Sequence, residues 1–248
     1  MFLIDEIVSI ENYESNSKRY DIEVENNHNF FANNILVHNC QSLSRTLESF
    51  RDIEFGIEEK TNGSSCSIFY RTNPYTNEPE QGVCSRNLEL RLDQEGNAFI
   101  DTVKLEGWLD HLSELGMNIA IQGELVGPKL QGNIYKLSNY KIFVFDVWFI
   151  DEQRYATRNE RLEILEKLKD LGVEVNQVPY LGSGPLPEDI LDVLKWAEGK
   201  SSVSTLGPNQ RVEREGIVFK SAHLVDGQIM SFKAISNKYL LNERETEL

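Results

Sequence analysis

Residues 58–63, Glu58-Glu59-Lys60-Thr61-Asn62-Gly63, constrain this chain more than any other stretch. They set one lysine between a carboxylate and a tight glycine turn, immediately ahead of the apolar run Cys66–Tyr70. A lysine amine is a nucleophile only when neutral, and its unperturbed pKa is about 10.4. A reactive lysine therefore has to sit in a dehydrating pocket or beside other positive charge. By itself the hexapeptide more often marks an ordinary surface turn. The polar clusters that follow it in a fixed order decide between the two.

Those clusters are Ser85-Arg86-Asn87-Leu88-Glu89-Leu90, Gln122-Gly123-Glu124-Leu125-Val126-Gly127-Pro128, Phe143-Val144-Phe145-Asp146-Val147-Trp148, Arg214-Glu215-Gly216-Ile217-Val218-Phe219-Lys220, and Ser231 through Leu240. Each polar group lies inside or at the end of a β-branched and aromatic run that reads as a strand. Strands converging on a cleft can gather lysines, an arginine, glutamates and an aromatic ring around a nucleotide. The ring would stack on a base, the cations hold phosphates, and the carboxylates hold ribose and metal-bound water. Taken singly, Glu124 and Glu215 fit ordinary strand-end carboxylates. Phe143, Phe145 and Trp148 fit a core, Arg86 a solvated surface, and Cys66 and Cys84 reduced core thiols. Their joint occurrence in order favours nucleotidyl transfer.

The series resembles the covalent nucleotidyltransferases, the superfamily of ATP-dependent ligases and mRNA capping enzymes. The Ser-Arg-Asn-Leu-Glu-Leu and Phe-Lys-Ala-Ile-Ser-Asn-Lys-Tyr-Leu runs are most similar to ATP-dependent RNA ligases, in the group that carries an OB domain ahead of the catalytic one. The resemblance covers nearly all of residues 40–248. It implies that Lys60 becomes the lysyl-adenylate, with Glu59 beside it at the nucleotide, and that Arg86 contacts the ribose and then the RNA end. It implies that Glu124 holds the ribose hydroxyl or a metal-bound water, and that Phe145 stacks on adenine. Glu215 would serve the metal and the reacting phosphate, and Lys220 and Lys233 would neutralise ATP phosphates. ATP and Mg2+ or Mn2+ are the implied cofactors, and RNA ends or nicks the implied partners. Two departures stand out. Many relatives have Asp or His where this chain has Asn62, and some have a lysine where it has Ser231. A DNA ligase or a GTP-dependent capping enzyme with the same lysine chemistry is the alternative, as is a ligase part that is inactive.

The first 39 residues read differently. Tyr20-Asp21-Ile22-Glu23-Val24 and His28-Asn29-Phe30-Phe31-Ala32-Asn33 lead into Val37-His38-Asn39-Cys40. An asparagine amide can attack its own backbone carbonyl and release the chain downstream, and a preceding histidine can protonate the departing amine. A following cysteine supplies a thiol able to accept an acyl group. The segment resembles the C-terminal fragment of an intein. Because nothing ahead of Met1 supplies an N-terminal splicing block, the expectation is the C-half of a split intein. In that resemblance His38 and Asn39 carry C-terminal cleavage, Cys40 carries branching, and Asp21 and His28 support them. The partner would be a separate polypeptide bearing the N-intein and the N-terminal part of the ligase, with its OB domain. The implied domains are 1–39, the intein fragment, and 40–248, the adenylation domain.

Composition is compatible with this. The 248 residues, 40% apolar, suffice for one substantial core and a small appended module. No apolar stretch reaches membrane-spanning length and no signal-peptide pattern opens the chain. With only three cysteines and no disulfide framework, a reducing, cytoplasmic compartment is expected. The net charge of −15 opposes a broad non-specific nucleic-acid footprint. Gathering Arg86, Lys129, Lys136, Lys141, Lys220, Lys233 and Lys238 near one cleft would answer that objection. Helices are predicted from Thr157, with a capping box to Glu160 and Leu162, Leu165, Leu168 and Leu171 inward, closing at Gly172. Another opens at Pro187, with Ile190, Leu191, Leu194 and Ala197 inward, and a third runs from about Phe99 to Gly116. Residues 73–82 and 200–210 read as loops. The expected class is α+β, with the ATP-grasp-like antiparallel sheets of the ligase and capping superfamily forming a nucleotide cleft, behind a small all-β intein piece.

Overall fold

A computed structural model describes residues 29–32, 35–38, 50–203 and 211–246. The chain divides into two compact units, Met1–Thr46 and Leu47–Leu248. In the first, β1 (Asn29–Ala32) and β2 (Ile35–His38) pair antiparallel, with Asn29 opposite His38. Asp21, His28, Asn39 and Cys40, and with them the expected 39/40 boundary, lie outside the described residues.

The second unit is built on two sheets. The smaller holds β3 (Glu54–Lys60), β11 (Tyr180–Pro185), β12 (Gly216–Ser221) and β13 (Ser231–Ile235), in the order β11-β3-β12-β13. The larger holds β4 (Ser64–Thr72), β5 (Pro79–Ser85), β6 (Glu89–Leu90), β7 (Ile119–Val126), β8 (Lys141–Phe149) and β10 (Asn176–Gln177), in the order β10-β8-β7-β4-β5-β6. A short β9 (Arg154–Tyr155) adds to β8. Pairing is antiparallel except where β10 joins β8. The chain crosses from one sheet to the other within residues 60–64, directly after Lys60. There Gly63 is forced, because a Cβ would come within 2.7 Å of the Leu125 carbonyl.

The β-branched runs supply the main core. Ile68, Ile121, Val144 and Val147 pack with Ile100, Val103, Trp108, Leu165 and Leu168. The helix expected over 99–116 is divided. Asn97 caps α1 (Ala98–Leu105), then Gly107 at φ 82 turns the chain into α2 (Trp108–His111) and a 3-10 turn, Leu112–Leu115. Left-handed φ breaks the hydrogen-bond ladder, and glycine adopts it without a Cβ penalty. The elbow is tied down by buried Glu106, whose carboxylate accepts from Trp108 Nε1 at 2.8 Å and the Ile142 N–H at 3.1 Å.

Helix α3 (Arg158–Leu171) carries the expected capping box and ends at Gly172. Its buried face is Arg161, Ile164, Leu165 and Leu168, not the every-third-residue leucines, because a 3.6-residue period carries Leu162 and Leu171 to the flanks. Helix α4 (Ile190–Ala197) starts at the Asp189 cap, two residues after Pro187; Val193 and Ala197 are buried and Leu191 is 67% exposed. The turn between β4 and β5 is shorter than read, since Pro79–Gly82 belong to β5. Ser201, expected in a loop, is fully buried, and residues 204–210 lie outside the described residues. Helix α5 (Asn237–Thr246) closes the unit. Among the described residues no helix is long and apolar enough to cross a membrane.

Candidate active site

The two sheets face each other across a cleft, and the strand ends read from the sequence meet there. Lys60 ends β3 and pairs in register with Gly216 of β12. That register places Glu215 beside it, and Lys60 Nζ donates to Glu215 Oε1 in an ion pair. Both side chains stay partly accessible, at 22% and 17%, so a substrate can reach the pair. Glu124 arrives from β7, opposite Ser65. Burial, reinforced by Glu215, raises its pKa to about 7 against the opposing pull of Lys60 and Arg86. Its Oε2 is buried with no hydrogen-bond partner. Arg86 stands exposed in the turn between β5 and β6, where the Ser85 N–H donates to the Leu88 carbonyl at 2.8 Å. Lys233, opposite Val218 on β13, completes the ring. These residues line a space of about 600 Å³, within the range of small-molecule sites.

A contiguous recess shares Lys60, Thr61, Glu124 and Lys233 and is further lined by Phe145, Asp146, Val218 and Lys220. Phe145 comes from the larger sheet and Val218 from the smaller. Strand β8 bulges here: Gln122 opposes Asp146 and Gly123 opposes Val144, leaving Phe145 as the extra residue. A bulge bends its strand and re-aims side chains. Adjacent Phe145 and Asp146 both line the recess, while Phe143 packs in the core with Val126 and Tyr135.

A model of the family described as RNA ligase matches residues 53–235. The chain belongs to the RNA ligase family. Among solved structures, this RNA ligase chain is similar to a Naegleria gruberi RNA ligase variant with ATP and Mn, at 34% identity and TM-score 0.72, covering 82% of this chain and 56% of that one. The Naegleria gruberi RNA ligase with PPi gives 35% and 0.71, covering 82% and 55%. A further variant of it with AMP and Mn gives 35% and 0.70, covering 81% and 55%. The chain thus spans just over half the length of these structural relatives. Comparison with curated proteins finds no match.

Within this RNA ligase unit, Lys60, Arg86, Glu124, Glu215 and Lys233 come together, and Phe145 lines the adjoining recess. Glu59 also lines that recess, beside Lys60. Its carboxylate turns to the 200–203 segment, accepting from Ser201 Oγ and, at 2.8 Å, from the Ser202 N–H, and burial raises its pKa. Alternation along β3 puts the Glu58 side chain on the face of Lys60, and both glutamates reach the recess. Lys220 is already held, by Asp146 Oδ1 at 2.7 Å, Glu58 Oε2 at 3.3 Å and the Phe145 carbonyl at 2.5 Å. Lys141 and Lys238 pair with Glu174 and Glu198. His38 ends β2 in the other unit, and Asn39 and Cys40 lie outside the described residues.

The RNA ligase sequence concealed several contributors. The Asn62 N–H donates to the Tyr135 hydroxyl at 2.7 Å and Asn62 Nδ2 to the Tyr239 hydroxyl at 2.8 Å, pinning the turn after Lys60 from two sides. Arg161, from α3, donates to the Phe145 carbonyl and to both oxygens of Glu58.

The donor set also suits a hard cation. Mg2+ and Mn2+ take oxygen ligands and are commonly held by one or two carboxylates together with substrate phosphates. Glu124, with its buried unpartnered oxygen, and neighbouring Glu215 fit that description. Among the described residues no three His, Cys, Asp or Glu side chains gather into a protein-only cage.

Proposed function

We propose that residues 40–248 are the adenylating part of an ATP-dependent RNA ligase, joining RNA 5′-phosphate to 3′-hydroxyl ends. The observation that carries this reading is Lys60 in contact with Glu215 beside Glu124, whose buried Oε2 has no hydrogen-bond partner. Structural relatives solved with ATP and Mn, AMP and Mn, and PPi support ATP use and pyrophosphate release. Adenine stacks on Phe145 against Val218, and Lys233 and Arg86 meet the phosphates and ribose. Lys60 gives up a proton, with Glu215 placed to accept it, and its amine attacks the α-phosphorus. A P–N bond forms as the bond to the β-phosphate oxygen breaks, releasing pyrophosphate. An RNA 5′-phosphate oxygen then displaces lysine, forming a phosphoanhydride, and a 3′-hydroxyl displaces AMP to seal the strand. A Mg2+ or Mn2+ held by Glu124 and Glu215 supplies charge neutralisation at the reacting phosphates. Otherwise the chain aligns the groups and holds charge in place before reaction.

Residues 1–39 serve, in this reading, as a split-intein C-fragment. His38, Asn39 and Cys40 carry cleavage and branching, and a second polypeptide supplies the N-intein and the OB domain. Support comes from the His-Asn-Cys pattern with its upstream motifs. A reducing, cytoplasmic setting agrees with free Cys66 and Cys84.

The test uses α-labelled ATP and GTP in parallel. Label should join the chain covalently from ATP alone and be removed by added pyrophosphate. Labelling from GTP alone would move the chain to the capping chemistry, and none from either would overturn the reading.

A further inference from the structure

The charged network behind the nucleotide recess joins both sheets to one helix, and Arg161 is its centre. Arg161 is buried at 4% exposure, although the positions one helical turn away on its face, Thr157, Arg158, Ile164 and Leu165, carry no carboxylate. Its partner is Glu58, on the same face of β3 as Lys60, and Arg161 donates to both carboxylate oxygens. Burial alone would push Glu58 up, but Lys220 and Arg161 outweigh it and keep the carboxylate below its ordinary range. The same guanidinium donates to the carbonyl of Phe145.

That carbonyl belongs to the bulge residue, which has no partner opposite it on β7. An unpaired carbonyl inside a protein is costly, and a bulge without an anchor could relax into regular pairing. Two cations satisfy it, Arg161 and Lys220, the latter also 5.5 Å from the Phe145 ring centroid. The arginine's planar fork meets both oxygens of Glu58 and the carbonyl together, whereas the Lys220 ammonium reaches the carbonyl and only one oxygen of Glu58.

We propose that Arg161 is a positioning residue for the base: it holds the β8 bulge open so that the Phe145 ring faces the recess. Lys220 then acts with it as a clamp on the bulge, in place of the phosphate contact implied by resemblance. The proposal rests on the reading of Phe145 as the base-stacking ring. The Arg161–Glu58 pair also ties the bulge to the strand that carries the nucleophile, so base and amine are set in one frame.

The test is a double-mutant cycle on ATP affinity, measured by calorimetry on the full chain with the α,β-methylene analogue of ATP, which keeps the adenine ring but cannot release pyrophosphate to Lys60. Arg161→Met should raise the ATP Kd roughly tenfold, as expected for buried charged hydrogen bonds. Arg161→Lys, which keeps the charge but not the fork, should raise it less. In a Phe145→Ala background, either change should add less than about twofold, because coupled residues are non-additive. Thermal unfolding of each variant checks folding, and the lysine variant carries the cycle if the methionine variant does not fold. An equal factor in both backgrounds, or an unchanged Kd, overturns the proposal. A wild-type chain that shows the coupling but takes no AMP onto Lys60 would leave the role of Arg161 standing and sink the transfer reading alone.

Discussion

Lys60 and Glu215 touch because β3 and β12 are in register at Lys60 and Gly216, which sets Glu215 against the amine at the strand end. The contact holds the lysine at the mouth of the cleft.

Removing that carboxylate should therefore strike chemistry more than folding. Glu215→Ala and Glu124→Ala are each expected to slow adenylation or sealing by more than about tenfold, since one preorganised polar contact in a closed site is worth several kcal/mol. Single-turnover adduct formation at saturating ATP measures it. Wild-type rates in both variants would remove the carboxylates from the mechanism.

The two phenylalanines of β8 should separate. Phe145→Ala loses stacking worth about 1–3 kcal/mol and should raise the ATP requirement, at a smaller cost in stability than Phe143→Ala because Phe145 is only partly buried against that core cluster. Phe143→Ala, 9% exposed in the core, should cost about 3 kcal/mol or more of stability while leaving ATP affinity of the folded fraction near wild type. Urea titration alongside ATP binding distinguishes them. The opposite assignment would mean that the bulge points the other ring at the nucleotide.

Glu106 should impose a pH dependence on stability. Its pKa is raised by burial to about 7, so between the ordinary carboxylate value and about 7 the folded chain holds a proton that the unfolded chain has lost. That stabilisation is complete below the unfolded pKa and disappears as pH rises through the folded one. Glu106→Gln should thus gain on wild type in thermal unfolding between about pH 5 and about pH 8. A gap that stays constant with pH would contradict this.

Processing gives an independent prediction. On the split-intein proposal, the chain by itself should keep residues 1–39, because the thioester that Cys40 would accept is formed on the partner polypeptide. Mixed with a matching N-intein precursor it should release them and join the partner's extein to Cys40. Asn39→Ala should stop that release, and Cys40→Ala should stop joining while some cleavage at Asn39 persists. Product masses report each result. Loss of residues 1–39 from the unmixed chain, with no joined product on mixing, would mark the segment as a self-removing leader.

The site was legible wherever its residues end apolar strands, because Lys60, Glu124 and Glu215 combine a polar group with a β-branched run. The Thr157–Glu160 cap was legible for a similar reason, since all its signals are local. What could not be read depends on partners far along the chain. Arg161 looks solvated until Glu58, 103 residues away, is placed against it. Asn62 looks like a lost charge until Tyr135 and Tyr239, 73 and 177 residues away, close on it. Adjacent Glu58 and Glu59 are both buried and both line the recess, and only the side of the sheet decides that one meets Arg161 and the other the 200–203 segment.

The central claim is that Lys60 is the nucleophile, and intact-mass spectrometry with peptide mapping tests it most directly. After ATP and Mg2+, the chain should gain one AMP, stable to acid, mapped to Lys60 and absent from Lys60→Ala. An adduct mapped to Lys220 or Lys233, or one that survives in Lys60→Ala, would contradict the account.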